Sequence, residues 1–330
     1  MHFTQRRNVL LTGLCLLTLG GLFCGTATAA VPPGTIYFYR YNGNYMSMNG
    51  DGTGKKVVPV SIPSYQQHAG SRWSLGGGYV DGPLDPNGNP PWELFASNAS
   101  GRQIQLTGDP DTVWNSWVAP SWGKNDSFVS FAGVRNTATG VIGGLFVVAI
   151  DWSSGIPIAG APVLVLPTSV TAGSWWGWSE PNLYKHDWSP TGTEVVYESQ
   201  NLAGIQQLYV ASFSPQGVVT RELTVGSSAS PTWSLDGSRI AFHRGEIWTI
   251  KPDGTGSLKL TLYSLTKTEV RRQSDPTWSP DGAYLAFTDV VTNRSSGAST
   301  VSVRRIPASG GSIINLTSGL GNSAAAHWRP

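Results

Sequence analysis

Two stretches of this chain concentrate side chains suited to holding a ligand. Trp114 and Trp117 stand in one, and Trp175, Trp176 and Trp178, followed by Glu180, stand in the other. An indole joins a broad apolar face to an N–H donor, so these residues suit either a lid over a cavity or a platform for sugar rings and peptide side chains. A second set pairs imidazoles with charged groups: His186 beside Asp187, Asp275, and His327 near Arg329. Such groups can bind a metal or exchange protons with a substrate. The remaining histidines beyond His2 are His68 and His243, and none of the four stands at metal-ligand spacing from another. Gly-x-Ser-x-Gly, a Walker loop and His-Glu-x-x-His are all absent, so no catalytic motif and no cofactor is expected. Asp85-Pro-Asn-Gly-Asn89 lacks the Gly and the bidentate Glu of a calcium loop and reads as a turn.

The frame for these residues is an internal repeat. Trp188-Ser-Pro-Thr-Gly192 precedes Glu194-Val-Val-Tyr197, and Trp233-Ser-Leu-Asp-Gly237 precedes Arg239-Ile-Ala-Phe242. Trp278-Ser-Pro-Asp-Gly282 precedes Tyr284-Leu-Ala-Phe287, at the same 45-residue spacing. Alternating runs follow at Gln207-Leu-Tyr-Val210, Glu246-Ile-Trp-Thr-Ile250 and Thr300-Val-Ser-Val303, and each unit ends on Leu-Thr, at Leu223, Leu260 and Leu316. Each unit therefore predicts four short strands, with Asp-Gly supplying the positive φ angles of a tight hairpin. Four strands in about 45 residues is the length of a propeller blade.

Two degenerate units precede these, from Trp73 to Leu106-Thr107 and from Trp122 through Phe128–Phe131 and Leu145–Val148 to Val163–Leu166. The tail, Ala326-His-Trp328, matches an opening strand, while Gly34–Val58 matches a unit without one. The expected fold is all-β: a six-bladed β-propeller of four-stranded antiparallel blades, closed by pairing the C-terminal strand with three N-terminal strands. The motif tryptophans are expected as wedges between blades. The repeat resembles that of TolB-type β-propellers, relatives of the WD-repeat propellers, over residues 34–330. The resemblance covers the propeller part alone, without the N-terminal α/β domain of TolB, so a bridging role in the envelope is not implied. In such a ring the outer-to-inner and second-to-third links share a face. That places the long links around Gly82–Pro91, Trp114, Gly133–Gly144 and Trp175 on a rim over blades two to four. His186, Asp275 and His327 are then expected at the central channel.

Composition agrees. Of 330 residues, 40 are Gly and 22 Pro, only 13% are charged and 14 are Trp, which excludes a charged disordered chain and a coiled coil. Arg6-Arg7, the apolar run Val9–Cys24 and Ala27-Thr28-Ala29 read as a cleaved export signal over residues 1–29, with a twin-arginine pattern. Cleavage removes both cysteines and two of the 22 basic residues, leaving basic and acidic side chains in balance. Neutrality excludes the basic face a nucleic acid requires. These readings point to a periplasmic or secreted, monomeric, non-catalytic binding propeller. Its ligand would be a protein, peptide or glycan in the cell envelope, and it would meet the membrane only through the signal. The alternative is a carbohydrate lyase or hydrolase using channel histidines and acids.

Overall fold

Alternate residues of each repeat strand bury against opposite neighbours, and this builds the molecule. The computed structural model describes residues 31–40, 44–58, 72–73, 79–81, 95–97, 103–107, 114–123, 127–151, 158–172, 179–262 and 266–329. The leader, the turn at Asp85 and residues 175–178 lie outside them. The chain opens with β1 (Thr35–Arg40), β2 (Asn44–Asn49) and β3 (Lys56–Val57). A sheet of β4 (Arg72–Trp73), β5 (Tyr79–Asp81), β6 (Phe95–Ser97) and β7 (Gln103–Gln105) follows. Next come β8 (Trp114–Trp122), β9 (Phe128–Thr137), β10 (Gly140–Asp151), β11 (Ile158–Ala159) and β12 (Val163–Thr168), then the ribbon β13 (Val170–Ala172) and β14 (Ser179–Pro181). Three regular sheets complete the chain. The first is β15 (His186–Trp188), β16 (Glu194–Gln200), β17 (Gln206–Ser214) and β18 (Gly217–Glu222). The second is β19 (Ala229–Trp233), β20 (Ile240–His243), β21 (Ile247–Ile250) and β22 (Leu258–Lys259). The third is β23 (Glu269–Trp278), β24 (Tyr284–Asn293), β25 (Ser299–Pro307) and β26 (Ile314–Asn315). The last strand, β27 (Ser323–Arg329), returns to pair antiparallel with β1, setting Trp328 opposite Ile36.

The result is an all-β propeller with four-stranded antiparallel blades and no helix among the described residues. The first strands of successive sheets touch in sequence: β4 lies against β8, β8 against β15, then β19, β23 and β27, and β27 against β4. The expectation of six four-stranded blades needs correction, because among the described residues five sheets have four strands and the β8–β12 sheet has five. There β10 runs for 12 residues, long enough for two short strands, β11 and β12, to share its outer side. The approach of β12 depends on Gly144, with φ +149, where an added Cβ would come within 2.1 Å of the Leu166 carbonyl oxygen.

The repeat signature has a packing logic. Ile240 and Phe242 enter the core shared with the preceding sheet, while Ala241 between them faces the following one. Leu285 and Phe287 alternate with Ala286 in the same way. A bulky pair thus wedges backward and a small residue admits the next wedge, which keeps the interfaces at interior packing density. Trp122, Trp233, Trp278 and Trp328 are buried in these interfaces, as expected of wedges. Trp188 is half-buried between Phe128 and Phe213. The closing Leu-Thr pairs also repeat their contacts, since Thr224, Thr261 and Thr317 each accept a backbone N–H from the third strand through Oγ1. The first-to-second turns differ in detail from the expectation. Only the glycine of Asp-Gly takes positive φ, +72° at Gly237 and +69° at Gly282, while Ser234 and Ser279 donate to the turn aspartates.

Candidate functional site

One register position recurs at the mouth of the ring. Lys185, Ser230 and Asp275 each stand three residues before a repeat tryptophan, on three successive sheets. Ser230 and Asp275 precede Pro231 and Pro276 at β-bulges, and they are the two non-glycine residues with positive φ among the described residues, at 51° and 52°. A residue before proline prefers extended backbone, so this geometry stores strain of roughly 1–3 kcal/mol per site. The bulges let the side chains converge. Lys185 Nζ donates to Ser230 Oγ at 3.0 Å and to Asp275 Oδ1 in a short ion pair. Ser230 Oγ donates to the same Oδ1 at 2.9 Å, and Ser274 Oγ donates to Oδ2 at 2.8 Å. The pair remains open to solvent, with 40% of the Lys185 and 32% of the Asp275 side chain accessible.

Behind this clasp lies Glu198, which is buried. It accepts the Ser230 backbone N–H through Oε1 and Gln206 Nε2 at 2.6 Å through Oε2. Burial pushes its carboxyl up, a rise that Asp275 adds to and that the Ser230 amide and the Lys185 ammonium only partly offset. Burial also acts to raise Asp275, but the Lys185 charge and the bonds from Lys185, Ser274 and Ser230 outweigh it and hold that carboxyl well below the usual range. His243 occupies the Glu198 position one sheet on, its Nδ1 buried without a hydrogen-bond partner. Burial pushes its basicity down against the pull of Asp275.

These opposed shifts have opposite pH signatures. The Asp275 contribution to stability is present above its unfolded value, about 3.9, and is lost only as pH falls through its lower folded value. Glu198 does the reverse: stability declines as pH rises from about 4.3 through its raised folded value. Glu198→Gln should therefore flatten the fall in melting temperature above about pH 4.3. A thermal-melt series checks this, and an unchanged slope would refute the assignment.

The sequence-derived candidates distribute unevenly. Asp275 belongs to the clasp, whereas Lys185, Ser230 and Glu198 escaped sequence reasoning although the constant offset from tryptophan marks the first two. His186 opens β15, one residue after Lys185. It is fully enclosed, with Nε2 2.7 Å from Ser130 Oγ, which also accepts Trp188 Nε1 at 2.8 Å. Its neighbour on the preceding position, Lys185, reaches the clasp instead. Asp187 is a tether: its Oδ2 accepts Trp233 N–H at 2.8 Å and Thr232 Oγ1 at 3.0 Å, and its Oδ1 is 3.5 Å from Ser121 Oγ. His327 is half-buried on β27, opposite Tyr37. Trp114 and Trp117 lie within strand β8 rather than in a loop, and their side chains are outside the described residues, as are Trp175, Trp176 and Trp178 entirely. The ribbon β13–β14 that brackets residues 173–178 leans on β8, β9 and β10. The Gly133–Gly144 link is likewise a hairpin, with β9 paired to β10 up to Thr137 and Gly140.

Chemically, the clasp gathers an ammonium, a hydroxyl and a carboxylate into one hydrogen-bonded set. A hydroxyl fixed between an ammonium and a strongly ionised carboxylate lacks a base to activate it. Among the described residues no group of three His, Cys, Asp or Glu is placed to hold a metal. Up-and-down connectivity puts the β16–β17 turn and the outer-to-inner links on the side where the inner strands begin. That side displays Leu202, Ile205, Val225 and Leu262, all exposed aliphatics. Arg244 anchors one of these links, donating to the Val225 carbonyl at 2.8 Å.

No protein-family model matches the sequence, and comparison with curated proteins finds no relative. Among solved structures, the chain is similar to a putative TolB from Agrobacterium tumefaciens, with TM-score 0.56 and 15% identity over 91% of this chain and 99% of that one. It is also similar to TolB from Acinetobacter baumannii, with TM-score 0.56 and 18% identity over 91% and 68% of the two chains. Kuenenia stuttgartiensis hydrazine synthase gives a TM-score of 0.54 at 11% identity, covering 90% of this chain and 47% of that one. At these identities the likeness is one of fold.

Proposed function

We propose that residues 34–330 form a six-bladed propeller, the five-stranded β8–β12 sheet serving as one blade, and that it is an exported, non-catalytic module binding a protein segment at its mouth. The closed succession of inner-strand contacts supports the count, and the leader pattern supports export to the periplasm or beyond. The binding reading rests on one observation: the Lys185–Ser230–Asp275 clasp opens on the side that displays Leu202, Ile205, Val225 and Leu262. Exposed aliphatics bordering a polar centre suit a polypeptide better than a sugar, which would stack on aromatic faces. Lys185 keeps a third N–H beyond its two bonds, a donor for a backbone carbonyl or carboxylate of the ligand. Trp114, Trp117, Trp175, Trp176 and Trp178 are the further ligand contacts proposed from the sequence, together with Asp275 and His327. The carbohydrate-active alternative needs His186 in the channel, and its imidazole is enclosed.

The test uses protein recovered outside the cytoplasm and shown by N-terminal sequencing to start at Ala30. Partner proteins captured by the wild type from envelope extract should be lost by tenfold or more on Lys185→Met combined with Leu202→Ser and Val225→Ser. Undiminished capture would refute the mouth as the site. Capture of a glycan on an array, with no protein partner, would refute the ligand class.

A further inference from the structure

A propeller blade leaves the outer edge of its last strand without a backbone partner, and such edges invite pairing with another chain unless they are short, charged or interrupted by proline. Most outer strands here carry one of these safeguards. The strands β3 and β22 have two residues each, with Lys56 and Lys259 among them, and β26 also has two. The longer β12 contains Pro167. By contrast, β18 spans six residues, Gly217-Val-Val-Thr-Arg-Glu222, without Pro, and its two charges, Arg221 and Glu222, are adjacent at one end and of opposite sign. Its Val219 is 68% exposed and Val218 41% exposed.

The direction of its free groups follows from the ladder. Phe213 N–H donates to Thr193 toward β16, and Leu223 N–H donates to Leu208 on β17. Alternation then turns the backbone groups of Gly217, Val219 and Arg221 toward β17, and those of Val218, Thr220 and Glu222 outward. The outward amides and carbonyls have no partner among the described residues.

We propose that β18 is a self-association edge, on which a second copy of the chain pairs antiparallel about Thr220. The outward-facing residues are symmetric about that position. A copy therefore sets Thr220 against Thr220 of the partner subunit, and Val218 against Glu222 of the partner subunit, so that every outward donor meets an acceptor. An isologous contact of this kind closes at two copies. Charge does not oppose it: Arg221 and Glu222 cancel, and Arg221 already lies 3.8 Å from Glu194 of its own sheet. The pairing covers Val218 and Val219 on both copies. It departs from the single-copy state expected from composition, and it does not depend on the mouth being a binding site.

Sedimentation velocity of the full chain over a concentration series tests the proposal. The wild type should pass from one mass to twice that mass as concentration rises. Thr220→Pro removes one outward N–H while leaving the bonds through Val219 and Arg221 to β17, and proline is tolerated on edge strands. That variant should keep the single mass throughout with an unchanged melting temperature. If it melts lower, Val219→Lys decides, since it adds an edge charge without touching the backbone. A single mass for the wild type at every concentration overturns the proposal, and so does a dimer that survives Val219→Lys.

Discussion

Deletion of residues 324–330 should leave a chain that does not fold: near-ultraviolet dichroism lost, no cooperative melt, and aggregation on concentration. The deletion removes most of β27, the inner strand of the sheet that β1, β2 and β3 complete. Trp328 is 4% exposed, shares a core with Ile36, Phe38, Met46, Met48, Ala286, Val303 and Leu316, and donates Nε1 to the Pro33 carbonyl at 2.9 Å. Its backbone N–H also reaches Thr277 Oγ1 at 3.1 Å, on the neighbouring sheet. Trp328→Ala alone should cost about 3–5 kcal/mol, read as a lower denaturant midpoint with unchanged slope. Full removal also unpairs β1 and opens the closed succession of inner strands, so its cost should exceed the few kcal/mol by which domains are stable. A truncated form that melts with the intact protein would show that the ends do not close one ring.

Asp187→Ala is expected to be the most damaging substitution away from the apolar cores. The carboxylate accepts the Trp233 backbone N–H and the Thr232 hydroxyl from one neighbouring sheet and approaches Ser121 on the other. Trp233 is 6% exposed, so its amide gains no compensating solvent when the acceptor is lost. Two hydrogen bonds to a charged group, one of them from a buried amide, amount to roughly 2–4 kcal/mol. Asp187→Asn, whose single carbonyl oxygen can stand in for Oδ2 and keep both bonds without their charge assistance, should recover about half of that. Equal destabilisation by the two variants would mean that the tether acts through charge and not through the hydrogen bonds. Chemical denaturation of both variants decides the matter.

The repeat was readable because each signature residue has one packing job repeated at a fixed spacing: Trp278 and Trp328 as wedges, Ala241 and Ala286 as the cups that receive them. The head-to-tail sheet was readable for the same reason, since Trp328 matches the wedge position. What escaped was everything dependent on local backbone departures. Whether His186 or Lys185 reaches the clasp is set by one residue of register, and a period-2 strand shifted by one exchanges its faces. The bulges before Trp233 and Trp278 shift it at two neighbouring positions, which composition does not reveal. Likewise, the outer pair β11 and β12 arises because β10 is long and Gly144 admits close approach, not from any change in the apolar pattern of Val163–Leu166.

The constant offset of the clasp residues has an evolutionary consequence. Gly70, Ala119, Lys185, Ser230, Asp275 and Ala325 occupy the same place relative to their tryptophans in the sequence. The wedges and cups that hold the ring together lie at other positions. The side chain at this place can therefore change one repeat at a time while the apolar packing between sheets is left as it is, so the chemistry gathered there is set separately from the wedges that hold the ring.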